Sequence, residues 1–123
     1  MRQRIIVVLP AYNEESSILA LLNGYDEMVA ANDIFIKIIV VNDGSTDNTV
    51  SEINKYSGPL PIEIKDNEVN AGLGKVLKQG LRTAVENGNR DDIVITMDAD
   101  NSHNPAQIPL MIKKINEGYD IVI

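Results

Sequence analysis

Apolar residues fall into two alternating patterns along the chain: short continuous runs, and longer stretches in which they recur every three or four positions. The runs Arg4–Leu9, Phe35–Val41 and Ile93–Met97 are rich in β-branched residues, as strands buried on both faces are, and Ile62–Lys65 reads as a further short strand. Pro10 is expected to close the first of them. Between the runs lie helical stripes. Ile18, Leu21, Leu22, Tyr25, Met28 and Val29 follow a cap at Ser16 or Ser17, and Val50, Ile53 and Tyr56 follow Thr46 or Asp47 and stop near Gly58-Pro59. Leu73, Val76, Leu77, Leu81, Ala84 and Val85 form the third stripe. Ile108, Met111, Ile112 and Ile115 form the fourth, with Asn104 as cap, Pro105 in the first turn and a stop at Glu117-Gly118. Tyr119–Ile123 reads as the beginning of a fifth strand, and the sequence is expected to be the front portion of a longer protein.

The order βαβαβαβαβ implies a three-layer α/β fold, a mainly parallel Rossmann-like sheet covered by helices on both faces and truncated after its fifth strand. In such sheets ligands bind beyond the carboxyl ends of the strands, so the loops after each run carry the candidate chemistry. The run at 93–97 stops at Asp98-Ala99-Asp100. Side chains two apart on a strand share a side, so both carboxylates can enter one volume. At ~4 Å and an effective dielectric near 20 they would repel by about 4 kcal/mol, which a hard divalent cation such as Mg²⁺ or Mn²⁺ relieves. The plain alternative is a solvated acidic loop. After the second run, Asn42-Asp43-Gly44-Ser45-Thr46-Asp47 mixes turn residues with Asp43, which is placed to accept from a base N–H or a ribose hydroxyl.

The third loop, Asn70-Ala71-Gly72-Leu73-Gly74-Lys75, lets the backbone approach a phosphate at a helix N-terminus. It is not a P-loop, because Val69 and Val76 stand where that motif needs Gly and Ser or Thr, and Leu77 excludes a dinucleotide fingerprint. Lys75 lies in the first turn beside the glycines and suits either a phosphate contact or a solvated face. Lys78 and Arg82 share its side of the helix and read as solvated. The loop after the first run, Pro10–Glu15, holds no glycine at all, which removes the nicotinamide reading.

Composition narrows the class further. With 123 residues the chain is one domain, and its 44% hydrophobic and 24% charged content is that of an ordinary globular protein. The absence of cysteine excludes disulfides, thiolate nucleophiles and zinc–thiolate sites, and fits a cytoplasmic setting. A net charge of −7 argues against a nucleic-acid surface and leaves an anionic substrate dependent on a metal or on a few placed cations. No apolar run approaches the ~20 residues of a membrane span, and no leader is expected ahead of the first strand.

Leu9–Glu15, Val41–Asp47, Asn70–Lys75 and Met97–Asp100, in this order and all at strand ends, resemble family 2 glycosyltransferases of the GT-A fold. Asn101–Pro105 is most similar to the dolichyl-phosphate mannosyltransferase and polyprenyl-phosphate branch. The resemblance covers residues 1–123 as the nucleotide-sugar-binding part of such a domain. It implies a nucleotide pocket formed by Pro10, Ala11, Tyr12, Glu14, Asp43, Gly74, Lys75, Asp98 and Ala99, with Tyr12 on the base or ribose, Asp43 on the base and Lys75 near the diphosphate. It implies Mg²⁺ or Mn²⁺ on Asp98 and Asp100, and it places the branch's third ligand at Ser102, a hydroxyl too short for direct contact without a bridging water. His103 matches a family position and equally suits a structural hydrogen bond.

The implied reaction is inverting transfer from a UDP- or GDP-linked sugar to an acceptor, a polyprenyl phosphate in this branch, at the cytoplasmic membrane face. The base and acceptor region would lie beyond residue 123, so the segment alone is expected to transfer little. Two rivals stand beside this reading. One is a nucleotide-sugar-binding module without turnover that forms a homodimer through its exposed sheet edge. The other is an Mg²⁺-dependent Asp-x-Asp phosphohydrolase.

Overall fold

A computed structural model describes residues 4–100 and 103–122. Four strands, β1 (Arg4–Ala11), β2 (Phe35–Asp43), β3 (Ile62–Asn67) and β4 (Ile93–Thr96), form one sheet in the order β3-β2-β1-β4. Every pairing is parallel, with Val7 opposite Ile38 on one side and Ile95 on the other. Four helices, α1 (Ile18–Asn32), α2 (Thr49–Asn54), α3 (Leu73–Glu86) and α4 (Ile108–Asn116), connect or follow the strands. A 3-10 turn at Pro105–Gln107 leads into α4, and the Asn104 side chain caps it by accepting from the Ala106 N–H at 2.9 Å.

Alternation along β1 divides the core. Ile5, Val7 and Leu9 face α1, α2 and α4, packing with Leu21, Leu22, Tyr25, Ile53 and Ile108, while Ile6 and Val8 face α3 and pack with Val76 and Ala84. Each fully buried aliphatic side chain contributes about 1.5–3 kcal/mol of transfer free energy, so the first layer carries most of the stabilisation. The second is thinner and closer. A Cβ on Gly80 would lie 2.3 Å from the Val8 side chain, so glycine lets α3 sit directly on the sheet.

The expected three-layer α/β architecture is present, with four corrections of detail. Pro10 does not close β1 but lies within it, opposite Val41. The Met97 N–H donates to the Val8 carbonyl at 3.1 Å, so Val8 and, two residues on, Pro10 turn their backbone toward β4, which ends at Thr96. The missing N–H of proline therefore breaks no ladder.

The fifth strand is not formed among the described residues. Asp120, Ile121 and Val122 face β4 across a cavity of about 320 Å³, and without ladder bonds the segment stays irregular. The α3 stripe is also divided. Val76 and Ala84 are buried, whereas Leu73, Leu81 and Val85 are exposed, because the close approach at Gly80 turns that row outward. Finally, Ser17 occupies the N-cap position of α1 without capping it. Its hydroxyl is used elsewhere.

Candidate active site

The strand order reverses between β1 and β4, since β2 and β3 lie to one side of β1 and β4 to the other. Loops after these strands diverge there and leave a crevice, and a cavity of about 430 Å³ opens at the carboxyl edge of the sheet. Its wall after β1 is Pro10, Ala11, Tyr12 and Glu14, and Asp43 enters from β2. The turn into α3 supplies Asn70, Gly72, Leu73 and Val76. Asp98, Ala99 and Asp100 close the remaining side.

The loops after β1 and β2 are fixed to each other by polar side chains. Asn13, in the left-handed region at φ 53°, donates its N–H to Ser45 Oγ at 3.0 Å and accepts from the Thr46 N–H through Oδ1 at 2.8 Å. The Glu14 N–H donates to Thr49 Oγ1 at 2.9 Å, and the Glu15 N–H to Asp47 Oδ2 at 3.2 Å. Asp47 also accepts from the Thr49 N–H and hydroxyl. Burial pushes its carboxyl up, but these bonds outweigh burial and hold it below its ordinary value.

Asp43 ties in the third loop. Its buried carboxylate accepts from the Ala71 N–H at 2.7 Å and the Gly72 N–H at 3.0 Å, while its own carbonyl accepts from the Asn70 amide at 3.3 Å. Gly44, at φ +69°, passes so close that a Cβ would lie 2.5 Å from the Asn70 nitrogen. Asp43 thus faces the cavity and also shapes the N-terminus of α3, where Gly72 stands at φ +92°.

The acid side is built differently. The Ser17 hydroxyl lies 3.0 Å from the Ala99 carbonyl and 3.2 Å from Glu14 Oε2, linking the end of β4 to the start of α1. Behind it the buried Tyr25 hydroxyl donates to Met97 Sδ at 3.1 Å, and burial raises its pKa far above the ordinary tyrosine value. Asp98 and Asp100 themselves are exposed carboxylates opening onto the cavity. The Asp98 N–H donates to His103 Nδ1 at 3.2 Å, and His103 Nε2 lies 3.8 Å from Asp98 Oδ2.

Glu14 reports the local field. Its carboxyl is raised by burial first and then by the negative charges of Asp100, Asp47 and Asp98, against an opposing bond from Ser17. No lysine or arginine is among the lining residues described. The cavity is therefore a region of negative potential on its acid side, suited to a cation. Among the described residues no three His, Cys, Asp or Glu side chains converge into a ready-made metal centre. Two hard carboxylates beside an open cavity do fit Mg²⁺ or Mn²⁺, ions ordinarily held by one or two carboxylates together with substrate phosphates and water. Ser102 lies outside the described residues.

Of the residues expected at the site, Pro10, Ala11, Tyr12, Glu14, Asp43, Asp98, Ala99 and Asp100 line one cavity. Gly74 and Lys75 do not. With Val76 and Gly80 turned to the sheet, the helical rotation carries Gly74 to the outer face beside Leu77 and Leu81. Lys75 points into a separate depression shared with Lys65, Lys78 and Arg82. Asn70, Gly72, Leu73 and Val76 were missed as lining residues. The signal for them was present, since the glycine at the N-cap marks where the backbone itself, not the following lysine, meets the cavity.

An open parallel α/β sheet with a carboxylate pair and a helix N-terminus at its switch point is the arrangement of a ligand-binding α/β domain. The chain belongs to glycosyl transferase family 2, whose family model matches residues 6–123. The dolichol-phosphate mannosyltransferase of Pyrococcus furiosus is 30% identical over 120 residues, covering 98% of this chain and 32% of that protein. S. aureus TarS in complex with UDP superposes with a TM-score of 0.71 at 28% identity, over 95% of this chain and 32% of that one. The mannosyltransferase PcManGT from Pyrobaculum calidifontis, in complex with GDP-Man and Mn²⁺, gives 0.67 at 28% identity over 81% and 28% of the two chains. The fold is the GT-A fold of these glycosyltransferases. The chain spans between 32% and 47% of the length of the first curated relatives it matches.

Proposed function

We propose that this chain is the nucleotide-sugar-binding portion of a metal-dependent, inverting glycosyltransferase whose acceptor is a polyprenyl phosphate. The observation that carries the reading is that Asp98 and Asp100 open onto the same cavity as Tyr12, Asp43 and the α3 N-terminus. A nucleoside at the Tyr12–Asp43 end would set its diphosphate between the first-turn amides of α3 and the acid pair. Tyr12 is about half exposed and offers its ring to a base or ribose. Asp43 accepts two backbone N–H groups, and each carboxylate oxygen keeps a lone pair for a further donor.

During transfer the bond from the anomeric carbon to the diphosphate breaks while a bond to the acceptor forms on the opposite face, so the configuration inverts. Charge accumulates on the departing diphosphate. The positive N-terminal end of the α3 dipole would face that charge, while the Gly72 N–H itself stays with Asp43. Asp98 and Asp100 would hold Mg²⁺ or Mn²⁺, which supplies Lewis-acid stabilisation of the leaving group and a template for its orientation. An ionised phosphate acceptor needs no general base. The dolichol-phosphate mannosyltransferase and undecaprenyl-phosphate transferase among the relatives support that assignment, under which the whole protein would work at a membrane face. Among the described residues no helix is long and apolar enough to cross a membrane.

Calorimetric titration with GDP and UDP, each with and without Mn²⁺, tests the proposal. One nucleotide is expected to bind with Mn²⁺ and to lose most of its affinity without it. Equal affinity in both buffers contradicts metal-dependent binding, and no binding of either nucleotide contradicts the reading as a whole.

A further inference from the structure

We propose that His103 is a positioning residue for Asp98: its imidazole anchors the Asp98 backbone by accepting the Asp98 N–H through Nδ1. The inference rests on the proposed function for its meaning but on the chain's own geometry for its content. β4 ends at Thr96, and just beyond it the Met97 N–H still reaches β1, donating to the Val8 carbonyl. The next backbone N–H, that of Asp98, is taken by His103 Nδ1 at 3.2 Å. An imidazole nitrogen accepts a hydrogen bond only when it carries no proton. Nδ1 is therefore the unprotonated nitrogen, and the ring proton sits on Nε2.

The Nδ1 bond fixes where the Asp98 Cα stands. The Asp98 carboxylate itself stays turned to the cavity, open to a cation there. His103 is itself held by its neighbour: Asn104 caps the turn into α4, so the ring is carried at the head of a helix whose Ile108 is buried in the core. Carboxylate ligands of metals commonly depend on such supporting contacts, and removing one typically costs 10–100-fold in metal affinity.

The chain contains a single histidine, so one set of imidazole ¹⁵N resonances reports on this ring alone. In mildly alkaline buffer the wild-type protein is expected to show an unprotonated Nδ1 and a protonated Nε2, and the opposite tautomer overturns the inference whether or not any nucleotide binds. In titrations of Mn²⁺ against the nucleotide-bound protein, His103→Ala is expected to weaken metal affinity on the order of tenfold. Nucleotide affinity without metal should stay at the wild-type value. His103→Asn, whose amide oxygen can accept the same N–H, is expected to fall between wild type and alanine. Unchanged Mn²⁺ affinity in His103→Ala, or a loss in His103→Asn as large as in alanine, overturns the positioning role. A wild-type protein with the expected tautomer that binds no nucleotide would instead overturn the functional reading and leave the tautomer assignment standing.

Discussion

The two sides of the cavity are built by opposite strategies. The loops after β1, β2 and β3 are tied to one another by Asn13, Thr49, Asp47 and Asp43, with nearly every polar group committed to a backbone partner. The described anchors of the loop after β4 are the Met97 bond to Val8, the Ser17 contact to Ala99 and the His103 contact to Asp98, and the loop carries two exposed acids. The first side is complete before a ligand arrives. The second is electrostatically frustrated, since Asp98 and Asp100 raise the Glu14 carboxyl together with burial, and it becomes favourable when a cation and phosphates join it. Under the proposed function, rigidity at the base end and clustered negative charge at the phosphate end suit a site that recognises a nucleoside tightly yet releases a diphosphate.

The comparison predicts that damage to each side reads out differently. Asp100→Ala removes half of the acid pair and should lower Mn²⁺-dependent nucleotide affinity on the order of a hundredfold while sparing metal-free binding, as calorimetry would show. Gly44→Ala strikes the rigid side. The new Cβ meets the Asn70 backbone and the residue must hold φ +69°, so a loss of about 1–3 kcal/mol in denaturant stability is expected. Because Asp43 then loses its grip on Ala71 and Gly72, nucleotide affinity should fall equally with and without metal. Tyr12→Ala should cost about 1 kcal/mol of nucleotide binding, the low end for stacking on an exposed ring, with the metal dependence intact. If the metal dependence collapses instead, the two sides are not separable.

Smaller effects come from protonation, and they carry opposite signs at two places. The Glu14 carboxyl is raised above its ordinary value, so its ionised form costs stability at neutral pH, and that cost is relieved as pH falls through its folded pKa. Glu14→Gln should therefore raise the melting temperature slightly at neutral pH, with a gain that shrinks toward the carboxylate range. Far from the cavity, the Arg4 guanidinium donates to Asp92 at 2.6 and 3.0 Å and holds that carboxyl low, clamping the start of β1 to the turn before β4. That contribution is complete above the ordinary aspartate value and disappears as pH falls through the depressed folded pKa. In Asp92→Asn, acid titration of stability below about pH 4 should be shallower than in the wild type.

The architecture was legible because its cause is local. Continuous apolar runs with helical stripes between them leave a parallel sheet as the one way to cover both faces, and acids placed after those runs must collect at one edge. What escaped was set by relations between elements. Whether Pro10 interrupts β1 depends on where β4 stops, which no pattern within 4–11 reveals. Which side of α3 is buried depends on how closely Gly80 approaches Val8, so the apolar row of Leu81 and Val85 was assigned inward and lies outside. Lys75 looked adjacent to the phosphate because it follows two glycines, and one residue of helical rotation turns it to the basic depression on the other side. Asp43 showed its importance by position, but its grip on the α3 turn needed the third strand's loop to be in place. Tyr119–Val122 has strand composition without a strand partner among the described residues.

The most direct test is a crystal structure of the protein with Mn²⁺ and the nucleotide that titrates more tightly, collected for anomalous scattering from manganese. The account predicts one manganese peak bridging Asp98 and Asp100 to the diphosphate at about 2.1 Å from its oxygen ligands, with the base against Tyr12. A nucleotide seated in the cavity with no metal at the acid pair, or manganese bound away from it, would contradict the claim that these two carboxylates and the diphosphate share one cation.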